Sequence, residues 1–293
     1  MGLGIKRFFW RNIFDLAQPL GIHILPKHYY STVPDTSKLQ SSLWEKEYSL
    51  AGIDMNRDFQ INMLENVFPK YASEFVFPEE SNEPTKFSFK NAPYVSYDAE
   101  VLHSIIREYK PKKIFEIGSG ATTLISANAC NMNNNGGGVT AHEPFPNETL
   151  CKYTIPGLVK LDTRKAEDIP ATYFQQLEEN DILFIDSTHV IRIGGDVLHL
   201  YLEVLPTLKK GVLIHIHDIL FPKEYFKEWI LKDHHFWNEM YLLQSFLAFN
   251  SDFEILWCGS YMHCKYDRAK LRKVFPRYDP LKHFPGSIWI RRK

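Results

Sequence analysis

From residue 98 onward, short apolar runs alternate with longer segments in which apolar residues recur at helical spacing. The apolar runs are typical of buried strands and cover 114–117, 139–142, 159–161, 181–186, 211–218, 253–257 and 287–290. The helical segments include 99–109, 169–177, 197–208, 225–231 and 238–249, and Asp98 is suited to cap the first of them. Strands that alternate with helices predict an α/β fold in which a mostly parallel central sheet carries helices on both faces.

The N-terminal segment carries a different pattern. Residues 3–20 repeat apolar side chains at helical spacing, with Lys6, Arg7 and Arg11 between them. A helix of this kind can lie on a membrane. Packing on the body of the protein or on a partner subunit is favoured, because the polar face is short and ends at Pro19. A homo-oligomer formed through this helix is therefore one expectation.

The segment that follows shows no strand–helix alternation. Residues 26–95 are rich in aromatic residues and proline and are predicted to be mostly irregular. We therefore expect residues 1–95 to form a helical and irregular N-terminal extension that caps a domain formed by residues 96–293.

Composition excludes several classes of protein. A net charge of −1 over 293 residues gives no electrostatic case for a nucleic-acid partner. The four cysteines contain no C-x-x-C pair, which argues against a disulfide framework or a structural zinc site and suits a reducing compartment. No apolar run approaches the roughly 20 residues of a transmembrane helix, and the N-terminus lacks a secretory signal pattern. These features predict a cytoplasmic protein without a transmembrane segment.

Polar and glycine residues gather where the predicted parallel strands end. Because ligands of such sheets bind at the carboxyl ends of the strands, these residues are expected to line one site. They are Glu116, Gly118, His142, Glu143, Asp186, His217 and Asp218.

The turn after the first strand reads Gly118-Ser119-Gly120 and continues into a helix. A dinucleotide-binding turn needs a third glycine, which is missing here. Glu116 also stands two residues before the first glycine, and its carboxylate would repel a pyrophosphate and attract a cation. The turn therefore favours a ligand with an ammonium or sulfonium group.

This motif resembles the first motif of the class I S-adenosylmethionine-dependent methyltransferases, E/D-x-G-x-G. The resemblance implies a Rossmann-like fold and S-adenosylmethionine as the cofactor. It implies that Glu143 holds the ribose hydroxyls and that Ala166 and Glu167 lie beside the adenine. The cofactor-binding residues implied in this way are Glu116, Gly118, Ser119, Gly120, Thr122, Glu143, Ala166, Glu167 and Asp186. The gap between Gly120 and Glu143 is longer than in the family, which an Asn/Gly-rich insertion explains.

A second cluster is expected from the ends of the fourth and fifth strands. Asp186 is followed by His189, and His217 by Asp218. Carboxylates suit Mg, Ca or Mn, and an imidazole shifts the preference toward Mn, Fe or Zn. His215 shares a strand face with His217 and is more simply explained as a core residue.

This cluster resembles that of metal-dependent O-methyltransferases of the catechol and macrolide-sugar type. The resemblance implies a divalent metal, Mg or Mn, held by Asp186, His217 and Asp218. It also implies that His189, with Asp186, is catalytic, and that His189 is the general base. His217 departs from the family, which has a carboxylate at that position.

Residues 20–260 resemble a bacterial subgroup of these enzymes that is found with polysaccharide or glycan biosynthesis. The resemblance implies O-methylation of a hydroxyl on a sugar, a glycan or a related small molecule. Four aromatic residues are candidates for a platform that stacks on a sugar ring, or for core positions: Tyr29, Tyr30, Trp237 and Tyr241. Two alternatives are a metal-dependent hydrolase on a Rossmann-like fold and a non-catalytic cofactor-binding partner subunit.

Overall fold

The computed structural model describes residues 3–91, Tyr94 and residues 96–293. Outside the described part lie Met1, Gly2, Ala92, Pro93 and Val95, together with the side chains of residues 3–7 and of Asn91. The predicted amphipathic pattern includes Ile5, Lys6 and Arg7, whose side chains are therefore outside the described part.

The chain divides into two compact units. The smaller unit consists of Met1–Leu43 and Phe226–Phe236, and the larger one consists of Trp44–Tyr225 and Trp237–Lys293. All strands lie in the larger unit. The proposed division at residue 95, with the first part acting as a cap, stays a prediction.

Seven strands form one sheet. In chain order they are β1 Lys113–Ile117, β2 Gly138–His142, β3 Leu158–Asp162, β4 Ile182–Ile185, β5 Leu213–Ile216, β6 Phe253–Cys258 and β7 Ile288–Arg292. Their order across the sheet is β3-β2-β1-β4-β5-β7-β6. Strands β1 to β5 pair in parallel, whereas β7 is antiparallel to both of its neighbours. The predicted mostly parallel, Rossmann-like sheet is confirmed.

Helices connect the strands. The α-helices are α1 Leu3–Ala17, α2 Ser42–Glu45, α3 Arg57–Asn62, α4 Asp98–Tyr109, α5 Ala121–Asn133, α6 Glu148–Lys152, α7 Ala171–Phe174, α8 Asp196–His199, α9 Lys227–Leu231, α10 Glu239–Leu247, α11 Gly259–Lys265 and α12 Arg268–Val274. Every residue of β4 and β5 is buried. Because both faces of these strands are covered, β4 appears in the sequence as a continuous apolar run and β5 as a run interrupted only by His215. None of the described helices has both the length and the apolar character needed to cross a bilayer.

Two helical predictions need correction. Asp98 begins α4 and does not cap it; its carboxylate instead accepts hydrogen bonds from the backbone N–H groups of Gly286, at 2.8 Å, and of Ser287, at 3.3 Å. The helix predicted over 197–208 is α-helical only through α8, then widens into a π turn at Leu200–Val204 and tightens into a 3₁₀ turn at Leu205–Thr207. Pro206 in that last turn cannot donate to the helical ladder, which explains the irregular end.

Candidate active site

The strand register aligns the predicted site at one edge of the sheet. Ile117 pairs with His142 of β2 and with Ile185 of β4, and Ile185 pairs with Ile216 of β5. The residues that follow these four therefore begin the loops at the same level. They are Gly118, Glu143, Asp186 and His217.

Gly118 is required by the geometry of the turn after β1. Its φ is +77°, and an added Cβ would lie 1.8 Å from the backbone oxygen of Asp186. Its N–H donates to the carbonyl of His142 at 3.0 Å, and the N–H of Asp186 donates to the carbonyl of Ile117 at 2.9 Å. The turn is thus held against both β2 and β4, and only glycine fits.

Gly120 has a different environment. Its φ of −179° is extended and open to any residue, and the nearest atom to an added Cβ is Asn147 Nδ2 at 3.9 Å. Its N–H donates to Thr123 Oγ1 at 3.0 Å and so begins α5. The chain itself leaves room for a side chain here, so a need for glycine at this position would come from a ligand that approaches the backbone.

Glu116 is completely buried beneath this turn. Thr122 Oγ1 donates to its Oε1 at 2.6 Å, whereas its Oε2 accepts no hydrogen bond from the described part of the chain. Burial raises the pKa of this carboxyl group to about 8. A buried carboxylate oxygen without a donor is uncommon, and a cationic ligand group would supply one.

Glu143 connects the end of β2 to the same turn. The backbone N–H of Ser119 donates to its Oε2 at 3.1 Å, and that of Phe145 donates to its Oε1 at 2.8 Å. Each carboxylate oxygen can accept a further bond, so the side chain is positioned and still able to bind hydroxyl groups.

The two predicted adenine neighbours follow β3. Ala166 is buried in the 3₁₀ turn Ala166–Asp168, and Glu167 Oε1 lies 3.9 Å from Arg192 Nη2. Within the described residues, no side-chain hydrogen bond or ion pair joins either residue to the glycine turn. Their proximity to an adenine stays a prediction.

His189 is the centre of the second cluster. Its Nε2 lies 3.2 Å from Asp186 Oδ1 and 3.4 Å from Asp218 Oδ2, and its Nδ1 lies 2.8 Å from Glu239 Oε2. His189 and Asp218 both adopt positive φ values, 58° and 55°. Such backbone conformations are uncommon outside glycine and gather at functional sites.

The charges in this cluster depend on one another. Burial alone would lower the pKa of His189, but its hydrogen bonds to Asp186 and Glu239 raise it well above the ordinary value. Burial likewise would raise the pKa of Asp186, and the hydrogen bond from His189 lowers it. Without a ligand, the cluster therefore favours an imidazolium between carboxylates. A positive charge brought close to it would lower the pKa of the imidazole.

Glu239 was not among the sequence-predicted site residues. It is the first residue of α10 and is fully buried, and the backbone carbonyl of His189 accepts from its N–H at 3.2 Å. An acid at the start of a helix is ordinarily explained by the helix dipole. Its only signal in the sequence is that an acid precedes the apolar segment Met240–Leu243, which did not connect it with a histidine fifty positions earlier.

His217 lies beside the cluster and not within it. Its ring lies 4.8 Å from that of Tyr94, and its Nε2 is 3.7 Å from Asp218 Oδ1. Among the described residues, the group with metal-ligand geometry is Asp186, His189 and Asp218, whose ligand atoms lie within 4.8 Å of one another. The structure thus brings together two of the three predicted metal ligands, with His189 as the third. His215 is a core residue, stacked on Phe184 at 4.0 Å.

Aromatic side chains extend from His189. Trp237 lies 4.4 Å from the His189 ring, Tyr225 lies 6.2 Å from Trp237, and Tyr241 lies 6.0 Å from Tyr225. Glu224 accepts a hydrogen bond from the Tyr241 hydroxyl at 2.6 Å. Of the four predicted platform residues, Trp237 therefore lies beside the cluster, and Tyr241 is connected to it through Tyr225.

The other two predicted platform residues belong to the smaller unit. Tyr29 and Tyr30 are exposed, and their rings lie 5.2 Å apart in an edge-on arrangement.

The central part of the chain is similar to known proteins. A family model described as a methyltransferase domain matches residues 115–219. A protein of Archaeoglobus fulgidus with no described function is 28% identical over 167 residues, which cover 54% of this chain and 75% of that protein.

Among solved structures, the chain is similar to an O-methyltransferase from Bacillus cereus in complex with S-adenosylhomocysteine. The two are 15% identical with a TM-score of 0.46, and the similarity covers 79% of this chain and 100% of that one. Another is a methyltransferase from Podospora anserina bound to the same molecule, with 18% identity, a TM-score of 0.44, and coverage of 93% and 99%. Residues 115–219 are therefore similar to a methyltransferase domain, and the strand order of the sheet agrees with a Rossmann-like methyltransferase fold.

Proposed function

We propose that this protein transfers the methyl group of S-adenosylmethionine to a hydroxyl oxygen of a sugar, a glycan or a related small molecule. The observation that carries the proposal is the position of His189. It lies between three carboxylates, and one of these belongs to Asp186, whose backbone N–H donates to Ile117 directly before the glycine turn that would hold the cofactor.

The residues around the turn fit this cofactor. The unsatisfied Oε2 of Glu116 would accept from its ammonium group, Gly120 would let the backbone approach it, and Glu143 would bind its ribose hydroxyls. Ser119, Thr122, Ala166 and Glu167 would complete the site. When bound, the cofactor supplies a methyl group that its sulfonium already makes reactive.

His189 would remove the proton from the acceptor hydroxyl. Glu239 holds Nδ1 and so leaves Nε2 directed at the edge of the sheet, where Asp186 and Asp218 lie. A positively charged cofactor in the adjacent turn would lower the pKa of the imidazole and free Nε2 to accept a proton near neutral pH. The remaining contribution of the protein is to orient the acceptor and exclude water.

Metal assistance is the competing arrangement. Nε2 of His189 is 3.2 and 3.4 Å from the two carboxylates, which is the spacing of adjacent ligands around a small divalent ion. This supports Asp186, His189 and Asp218 as ligands for Mn or Mg, in place of the sequence-predicted set with His217. A metal on Nε2 would prevent that atom from accepting a proton, so the two roles of His189 exclude each other.

The aromatic residues beside His189 support a sugar-like acceptor. Trp237 offers a ring close to the base, and the half-exposed Tyr241, connected to Trp237 through Tyr225, donates a hydrogen bond to the carboxylate of Glu224. Aromatic faces with adjacent hydrogen-bonding groups suit a hydroxylated ring. A cytoplasmic location and a homo-oligomer through the N-terminal helix remain predictions.

A binding screen followed by a transfer assay tests the proposal. S-adenosylhomocysteine should raise the unfolding temperature of the protein, whereas NAD and inorganic phosphate should not, because the carboxylate of Glu143 repels phosphate. Sugar nucleotides and glycans should then become methylated. A protein stabilised by phosphate and a metal, and unaffected by S-adenosylhomocysteine, would favour the hydrolase alternative.

A further inference from the structure

The N-terminal segment exposes far more apolar surface than a buried helix would. Along α1, Phe8 is 60% exposed and Leu16 is 77% exposed, and Leu20 directly after the helix is 75% exposed. Exposure continues through the next turn at Ile22, Ile24 and Leu25.

Among the described side chains of α1, those of residues 8–17, only Ile13, Phe14 and Ala17 are buried or half-buried. Ala17 is buried, and the ring of Phe14 lies 5.5 Å from that of His23. Phe9 and Leu16, seven positions apart, share another side of the helix, and both are more than half exposed. An apolar patch of this extent ordinarily marks an interaction surface.

The charge of the segment indicates which kind of partner would cover the exposed apolar patch. Residues 3–31 contain the basic residues Lys6, Arg7, Arg11 and Lys27 but only one acid, Asp15, whereas the whole chain has 34 basic and 35 acidic residues. The guanidinium of Arg11 lies 5.8 Å from the centre of the exposed Phe8 ring, so a positive charge and an apolar ring occur together. A twofold contact between two copies would bring these positive charges face to face, which opposes it.

We propose that the segment formed by residues 3–25 binds the surface of an anionic lipid bilayer. α1 lies in the plane of the interface, with Phe9 and Leu16 among the acyl chains and Arg11 among the headgroups. The fifteen residues of α1 are too few to cross a bilayer, so the segment anchors the protein to one surface.

The test uses the full-length protein in sedimentation with lipid vesicles. One set consists of phosphatidylcholine alone and the other of phosphatidylcholine mixed equally with phosphatidylglycerol. Binding should be clearly stronger to the second set and should weaken as salt is added. Equal binding to both sets, or no binding to either, would overturn the proposal.

Substitutions then test the segment itself. The double variant Phe9→Ser/Leu16→Ser should lose about tenfold in affinity for the anionic vesicles, since it removes two exposed apolar anchors. Arg11→Glu should lose at least roughly fivefold. Leu281→Ser is the matched control, because Leu281 is 90% exposed but lies far along the chain. Unchanged urea unfolding and unchanged S-adenosylhomocysteine binding would show that each variant is folded.

A dimer formed through this patch would give a different experimental result. If a second copy of the chain covers the patch, sedimentation velocity without lipid should show a dimer that the double variant abolishes. That result would overturn the bilayer proposal if the wild-type protein also bound anionic vesicles no more strongly than the double variant does.

Discussion

Glu239 Oε2 lies 2.8 Å from Nδ1 of His189, and the backbone carbonyl of His189 in turn accepts from the N–H of Glu239. The two residues are thus joined twice, once through side chains and once through the start of α10. The imidazole is held in one orientation, with Nε2 facing Asp186 and Asp218. A carboxylate that fixes one ring nitrogen determines what the other nitrogen can do.

Replacement of Glu239 by glutamine should lower turnover without weakening cofactor binding. The amide keeps the size of the side chain but removes the charge that stabilises a protonated imidazole, so kcat should fall by about tenfold or more. Steady-state kinetics and calorimetry with S-adenosylhomocysteine separate the two effects. Glu203→Gln, at an exposed acid, is the control. Equal losses of kcat and of cofactor affinity would indicate only a structural role.

The two glycines of the turn should respond differently to the same change. Gly118→Ala adds a Cβ at a φ of +77° and 1.8 Å from a backbone oxygen, so the free energy of unfolding should drop by roughly 3 kcal/mol or more. Gly120→Ala meets no close atom and should change stability by less than about 0.5 kcal/mol.

Cofactor binding completes this comparison. The Gly120→Ala protein, although stable, should bind S-adenosylhomocysteine more weakly, because the added methyl group occupies space that the ligand needs. Urea unfolding and calorimetry measure the two quantities. Full binding by the Gly120→Ala protein would show that the cofactor does not approach this glycine.

Glu116 should make the stability of the cofactor-free protein depend on pH. Its pKa is raised by burial from 4.5 to about 8, so the folded state keeps a proton that the unfolded state releases in that range. The contribution of Glu116 to the free energy of unfolding is therefore greatest below its unfolded-state pKa of 4.5. It decreases as the pH rises toward about 8, by up to about 1.4 kcal/mol per pH unit. The free energy of unfolding of the Glu116→Gln variant, relative to that of the wild type, should accordingly increase between about pH 5 and pH 8. A difference independent of pH would contradict the buried, protonated state of Glu116.

Removal of metal distinguishes the two roles of His189. If His189 is the base, activity should survive dialysis against EDTA, and added Mn²⁺ should inhibit because it occupies Nε2. If Asp186, His189 and Asp218 hold a required metal, activity should disappear with EDTA and return with Mn²⁺ or Mg²⁺. Asp218→Asn should abolish the effect of added Mn²⁺ in either case.

The sequence predicts the sheet well and the second cluster only in part. Buried parallel strands such as β4 consist of apolar residues alone, so their positions and their polar ends at Asp186 and His217 can be identified from the pattern. Alternation along a strand also predicts that His215 and His217 share a face, and their rings lie 5.7 Å apart.

The arrangement beyond the strand ends could not be predicted in this way. His189 and Asp218 lie in turns with positive φ, where the alternation that orients strand residues no longer applies. For this reason His189 joins the two carboxylates while His217 packs against the ring of Tyr94. Glu239 is brought to the site by tertiary packing of α10, which no local pattern encodes.

A transfer assay with S-adenosylmethionine carrying a deuterated methyl group tests most directly whether the protein methylates a hydroxyl oxygen with His189 as the base. The wild-type protein, the His189→Ala variant and the Leu281→Ser control are each incubated with a panel of sugar nucleotides and glycans, and the products are analysed by mass spectrometry. We expect a labelled methyl ether with the wild type and the control, and a loss of about a hundredfold or more in rate with His189→Ala at unchanged S-adenosylhomocysteine affinity. Label on nitrogen or carbon, or undiminished transfer by His189→Ala, would contradict this expectation.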